Sequence, residues 1–145
     1  MKRALSTFMF VLLLVSTLTF AFNTQDVKAS GTIYIRDDGS IDPPTAPIQR
    51  DGDTYTLTGN ITSDADGIVI ERNNMTLDGA GYTVQGTDPS WESKWMTLSY
   101  RSNVTIRDMQ IKAFWYGVYL SSSNNNSISG NNITNNKVAS ALMSV

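Results

Sequence analysis

Residues 101–111 and 123–133 carry one pattern twice, twenty-two positions apart. Asn103 falls on Asn125, Ile106 on Ile128 and Ile111 on Ile133, and the stretch before them obeys the same shift: Met96 to Val118, Leu98 to Leu120, Ser99 to Ser121. One further step takes Leu120 to Leu142. An earlier unit, Asn74-Met75-Thr76-Leu77, matches Asn103-Val104-Thr105-Ile106 at a spacing of twenty-nine, so seven residues are inserted, expected within 86–94. Thr56–Ile61 echoes Ile128–Ile133 more faintly. A fixed period of this length marks a solenoid, whose units cannot bury their apolar faces alone and do so by stacking.

Within each unit the apolar residues alternate, as in Ile68/Ile70, Met75/Leu77, Met96/Leu98, Val104/Ile106 and Val118/Leu120. Alternation over three to five residues is strand periodicity with one face turned inward. The residues between are Asn, Ser, Gly and Asp, which form turns and make poor helices. Nothing after residue 30 is long enough and helix-favouring enough to hold a helix. The pattern predicts an all-β chain, a right-handed parallel β-helix of about four to five coils over residues 54–145. A leucine-rich repeat has a similar period and also uses Asn, but it demands Leu at most framework positions and a helical segment, and neither is present. Asn74, Asn103 and Asn125, at equivalent turns, suit left-handed backbone angles and can hydrogen-bond from coil to coil.

The N-terminus reads as targeting. Lys2 and Arg3 precede an uncharged apolar stretch from Ala4 to Phe22, and Val27-Lys28-Ala29 supplies small or β-branched residues where a signal peptidase reads. Residues 1–29 are expected to be a signal peptide; the alternative is a retained anchor helix. Residues 30–53 read as a first strand and a Pro-rich approach that caps the solenoid. Ser140–Val145 resembles the middle of another coil, so the chain is expected to be the front part of a longer one.

Beyond residue 29, eight Lys/Arg stand against twelve Asp/Glu, a net charge of −4. An acidic domain without a basic stripe is a poor candidate for nucleic acid, and membrane contact is expected only through an uncleaved signal. Cys and His are both absent. That removes disulfides, imidazole bases, Ser-His triads and nearly all zinc or copper(II) sites.

The Asn-X-Thr-Ile units and the period of twenty-two resemble the repeats of the pectate-lyase-like superfold. More narrowly they resemble the NosD-type family of exported β-helix proteins, also described as carbohydrate-binding and sugar-hydrolase domains. The resemblance implies the fold and a secreted or cell-surface location. It leaves function open, because the superfold hosts lyases, hydrolases, adhesins and scaffolds. Its lyases hold Ca²⁺ in a carboxylate cluster and abstract a proton with Arg or Lys; its hydrolases add Gly-His-Gly and Arg-Ile-Lys elements. Neither of those two elements occurs here. The NosD name suggests copper, but Met75, Met96, Met109 and Met143 mostly take positions filled elsewhere by Val, Leu or Ile, so core packing accounts for them and no cofactor is expected.

Candidate site residues divide into three sets. The carboxylates Asp37, Asp38, Glu71, Asp78 and Asp108 do not assemble an active site in sequence. Asp51, Asp53, Asp64 and Asp66 have the Asp-X-Asp spacing that offers oxygens to a structural Ca²⁺, yet the ligand ladder of a known loop is missing and turn chemistry accounts for them. The aromatics are more telling. Trp91 and Trp95 fall in or beside the insertion, and Phe114-Trp115-Tyr116 precede a strand, so Trp91, Trp95, Trp115 and Tyr116 are the expected ligand contacts, as a platform for sugar rings. The alternative is that these rings merely cover the solenoid's side. Five sequons, at Asn60, Asn74, Asn103, Asn125 and Asn132, offer N-glycosylation sites. The expected function is an exported β-helix module that binds polysaccharide or a cell-surface glycan, or serves as a structural surface scaffold. The rival is the front part of a polysaccharide lyase or glycoside hydrolase whose catalytic residues lie beyond Val145.

Overall fold

The computed structural model describes residues 31–87 and 94–143, and the expected signal peptide lies outside them. No helix occurs among the described residues. After β1 (Ile33–Ile35), β2 (Ile41–Asp42) and β3 (Ile48–Asp51), the described residues wind through four coils of three strands. The first coil is β4 (Thr54–Leu57), β5 (Ile61–Ser63) and β6 (Ile68–Ile70). The second is β7 (Met75–Asp78), β8 (Thr83–Gly86) and β9 (Lys94–Ser99). The third is β10 (Val104–Arg107), β11 (Gln110–Lys112) and β12 (Tyr116–Ser121), and the fourth β13 (Ser127–Ser129), β14 (Asn132–Thr134) and β15 (Val138–Met143). Each strand pairs in parallel with its counterpart one coil on, so three sheets run the length of a parallel β-helix. The repeat in the sequence is the register of the sheets: Met96 pairs with Val118, Leu98 with Leu120, Ile106 with Ile128 and Ile111 with Ile133.

Two details of that reading are corrected. Tyr55, not Thr56, takes the place of Ile128, because Tyr55 pairs with Leu77, Leu77 with Ile106 and Ile106 with Ile128. The first coil is one residue longer than the fourth between this column and the next. The insertion is also split. Leu77 and Val84 are seven apart where Ile106 and Ile111 are five, so two extra residues widen the Asp78–Tyr82 turn. The other five fall between Val84 and Met96. The wider turn is held by Asp78 Oδ1, which accepts from the Ala80 N–H at 2.8 Å, and it needs positive φ at Ala80 and Gly81.

The core is a set of columns. Ile33, Ile68, Met96 and Val118 stack in one, Ile35, Ile70, Leu98 and Leu120 in another, and Ile61, Val84 and Ile111 in a third, all buried. Each fully buried aliphatic side chain contributes about 1.5–3 kcal/mol, and like sits on like at the strand spacing of about 4.8 Å. Tyr55 heads its column: it is fully buried, and its hydroxyl donates to the Gly39 carbonyl at 2.9 Å. The Arg50 guanidinium lies 5.6 Å from the Tyr55 ring centroid and donates to the same carbonyl. Here β2 pairs antiparallel with β1, and β3 antiparallel with β4, covering the outer edges of those two strands.

Asparagines tie coil to coil. Asn74, Asn103 and Asn125 have φ of 55°, 57° and 52°, and Asn103 Nδ2 donates to Asn74 Oδ1 at 2.9 Å. A second set was not anticipated. Asn126, Asn131 and Asn136 stand five residues apart, one at each corner of the fourth coil. Each accepts at Oδ1 from the backbone N–H twenty-two residues back, in Val104 (2.9 Å), Met109 (3.2 Å) and Phe114 (2.9 Å). Each donates from Nδ2 to the carbonyl twenty-five back, in Arg101, Ile106 and Ile111. Ser123 does both with one hydroxyl, accepting from the Arg101 N–H and donating to the Leu98 carbonyl. Corner backbone that no sheet ladder reaches is thereby satisfied.

Candidate functional site

The aromatic platform expected from the sequence does not form as drawn. Trp91 lies outside the described residues. Trp95, expected as a ligand contact, is instead fully buried in the core, and this corrects its assignment. The reason is local: Gly67 lies against it in the neighbouring coil, where a β-carbon would come 2.7 Å from the indole Cδ1 and 2.6 Å from the Trp95 carbonyl oxygen. Where the neighbour has no side chain, the largest one can enter the layer. Phe114 is likewise fully buried. Trp115 and Tyr116 remain half-buried, and the Tyr116 and Tyr119 rings meet edge to face at 5.7 Å. The outward rings of this stretch therefore form a strip on the third coil.

A second feature has no aromatic lining. The turn after β1, the β3–β4 turn, the β6–β7 turn and the β9–β10 turn stack at one corner and enclose a cleft of about 380 Å³. Asp37, Asp53, Glu71, Arg72, Asn73, Asn74 and Arg101 line it. Asp37, Asp53, Glu71 and Asn74 are marked by the sequence for other reasons, and Arg72 and Arg101 are not.

The cleft's side chains are held in place. Arg72 Nη2 bonds Asp53 Oδ1, and that partner holds the guanidinium above its ordinary pKa. Arg101 donates from Nε to the Ser99 carbonyl at 2.9 Å and from Nη1 to the Glu71 carbonyl at 2.8 Å. The Glu71 carboxylate accepts from Arg36, whose pKa is raised by Asp42 first and by Glu71 next. Asn73 Oδ1 accepts from the Ser102 N–H at 3.0 Å. Beside the cleft, the Ser40 N–H bonds the Asp38 carboxylate at 2.8 Å and holds its pKa below the usual value.

Three of the other acidic candidates have structural partners. Asp78 takes Arg107 at 2.7 Å from the next coil, and Asp108 lies 3.8 Å from the same guanidinium. Asp64 Oδ1 accepts from the Gly31 N–H at 3.2 Å. Among the described residues no three His, Cys, Asp or Glu gather in a group that could hold a metal ion.

No curated protein and no solved structure matches the chain. A family model does, over residues 22–145: NosD, described as a periplasmic copper-binding protein. Copper is held by imidazole, thiolate or clustered thioether groups. The chain has neither His nor Cys, and Met75, Met96 and Met109 lie inside the core at 3 %, 0 % and 2 % exposure. The residues present do not fit a copper ion. The stacked parallel coils, their Asn-bearing turns and a match that spans most of the sequence agree, and the chain belongs to the NosD family of extracytoplasmic β-helix proteins.

Proposed function

We propose that this exported β-helix module binds polysaccharide, and that the corner cleft is its contact site. The observation that supports this reading is the lining: every one of the seven residues is Asp, Glu, Asn or Arg. Planar carboxylate, amide and guanidinium groups make paired hydrogen bonds with vicinal hydroxyls, and a concave site of this size suits a short stretch of glycan. Arg72 and Arg101 are anchored by Asp53 and by backbone carbonyls, so little side-chain entropy is lost on binding. The coils act as the scaffold. The strip of Trp115, Tyr116 and Tyr119 offers a second surface on which sugar faces can stack.

The test is retardation in native gels cast with a panel of neutral and acidic polysaccharides. Wild type is expected to be retarded by at least one of them. Arg72→Ala is expected to weaken that retardation about tenfold, a loss of about 1.4 kcal/mol, while its circular dichroism spectrum stays that of the wild type. If Trp115→Ala or Tyr116→Ala abolishes retardation and Arg72→Ala does not, the contact belongs to the aromatic strip. If no polysaccharide retards the wild type, the binding reading fails and a purely structural role stands. Release of unsaturated sugars in the presence of Ca²⁺ by the protein from its native source would favour the lyase rival instead.

A further inference from the structure

Tyr100 is 73 % exposed, the most exposed large apolar side chain among the described residues, and its φ of 58° is left-handed. It lies in the β9–β10 turn, one of the four that enclose the corner cleft, and directly precedes Arg101 of the lining. Its coil has another on either side, so the exposure belongs to the flank of the solenoid. The backbone angle has a plain cause. Ile70 pairs with Leu98 and Met75 with Val104, so four residues round this corner in the first coil and five in the second. The narrower corner has one left-handed residue, Asn74; the wider one has two, Tyr100 and Asn103. Ser122, which follows the Ser121 partner of Ser99, repeats the angle one coil on with a φ of 48°.

The turn thus explains the angle but not the side chain. Left-handed backbone favours Gly, Asn and Asp and strains a bulky residue. Of the nine non-glycine residues with positive φ among the described residues, eight are Asn, Asp, Ala or Ser, and Tyr100 is the exception. The ring adds little to packing, and among the described residues neither it nor its hydroxyl has a partner. A residue held in a sparse conformation without benefit to the fold points to a role in function.

On the reading that the cleft is the polysaccharide site, on which this assignment rests, we propose that Tyr100 is its stacking contact and that the ligand is a polymer of pyranose units. The seven lining residues are all charged or amide-bearing, so the cleft itself offers hydrogen bonds but no apolar surface. A pyranose with equatorial hydroxyls has both needs: its face is made of C–H groups and its edge of hydroxyls. The face stacks on the phenol ring, while the edge bonds Arg72, Arg101 and Asn73. A furanose ring is puckered and presents no comparable flat face.

The experiment compares retardation of the full chain in native gels cast with soluble mixed-linkage β-glucan, a pyranose polymer, or with inulin, a furanose polymer. Wild type is expected to be retarded by the β-glucan and much less by inulin. Tyr100→Asn removes the ring and suits the left-handed backbone, so its melting temperature is expected to equal or exceed that of wild type while retardation weakens about tenfold. Tyr100→Phe, which restores a ring without the hydroxyl, is expected to recover it. Retardation of Tyr100→Asn equal to wild type overturns the assignment, as does a Tyr100→Phe that stays weak. So does a Tyr100→Asn melting below wild type, which would make the ring a packing element. Wild type retarded by inulin at least as strongly as by the β-glucan also overturns it. If another polysaccharide then retards wild type, and Arg72→Ala weakens that effect, the cleft still stands as the binding site; if none does, both readings fail.

Discussion

Trp95 is buried against Gly67, and the side chain that Gly67 lacks is the space the indole ring uses. The pair joins β9 to the turn before β6, and it settles which way Trp95 faces. Adding a methyl group at Gly67 forces either the indole or the β9 carbonyl to move. Gly67→Ala is expected to destabilise the fold by about 1–3 kcal/mol, and Trp95→Ala by about 3–5 kcal/mol. Urea unfolding followed by circular dichroism measures both. A Trp95→Ala variant as stable as wild type would mean that the ring lies outside the core.

The corner asparagines make a second prediction. Asn131 satisfies the Met109 N–H and the Ile106 carbonyl at once. At about 1 kcal/mol net for each bond, Asn131→Ala is expected to cost about 2 kcal/mol. Asn132→Ala, one residue on and exposed, is expected to stay within about 0.5 kcal/mol of wild type. Equal effects from the two variants, measured by denaturant unfolding, would contradict the bracket.

Tyr55 gives an alkaline signature. Burial raises its phenol pKa above the ordinary 10.0, so the unfolded chain releases this proton at lower pH than the folded one. The stability it contributes is fully present below pH 10 and is lost as pH rises through the higher folded value. Tyr55→Phe removes the bond to the Gly39 carbonyl and is expected to cost about 1 kcal/mol at neutral pH. Its stability is also expected to fall less steeply than that of wild type above pH 10, in thermal melts taken across that range. Parallel curves would rule out a native-state role for the Tyr55 proton.

Arg107 bridges β10 to Asp78 of β7, yet its side chain is 47 % exposed. Water and salt screen such a pair, so Arg107→Ala is expected to cost less than about 1 kcal/mol. The difference from wild type is expected to shrink further at high ionic strength. A larger, salt-insensitive loss in urea unfolding would give this ion pair a role that its exposure does not support.

Much of the fold was legible because a solenoid turns sequence period into spatial contact. Ile106 touches Ile128 for the same reason that it resembles it: both are the inward residue of one sheet, one coil apart. Deviations from the period were harder to place. The twenty-nine-residue spacing announced seven extra residues but not their division between the Asp78–Tyr82 turn and the stretch before Met96, because turns of different width can return a strand to one register. The corner brackets could have been read from the recurrence of Asn at 126, 131 and 136, a five-residue rhythm inside the longer one.

The period and the inward alternation, and with them the stacked parallel coils and the turn positions of Asn74, Asn103 and Asn125, came from the sequence by itself, since each follows from local residue type repeated at a fixed interval. The direction of the aromatic rings did not. Trp95 faces the core and Tyr116 is half-buried, which depends on what each meets in the adjacent coil. The cleft is the clearest case of what only the tertiary structure decided. Asp37, Asp53, Glu71 and Arg101 share no repeat position in the sequence. They converge because the segment before the first coil folds onto the corner where the later turns stack, and long-range packing of that kind has no local signal.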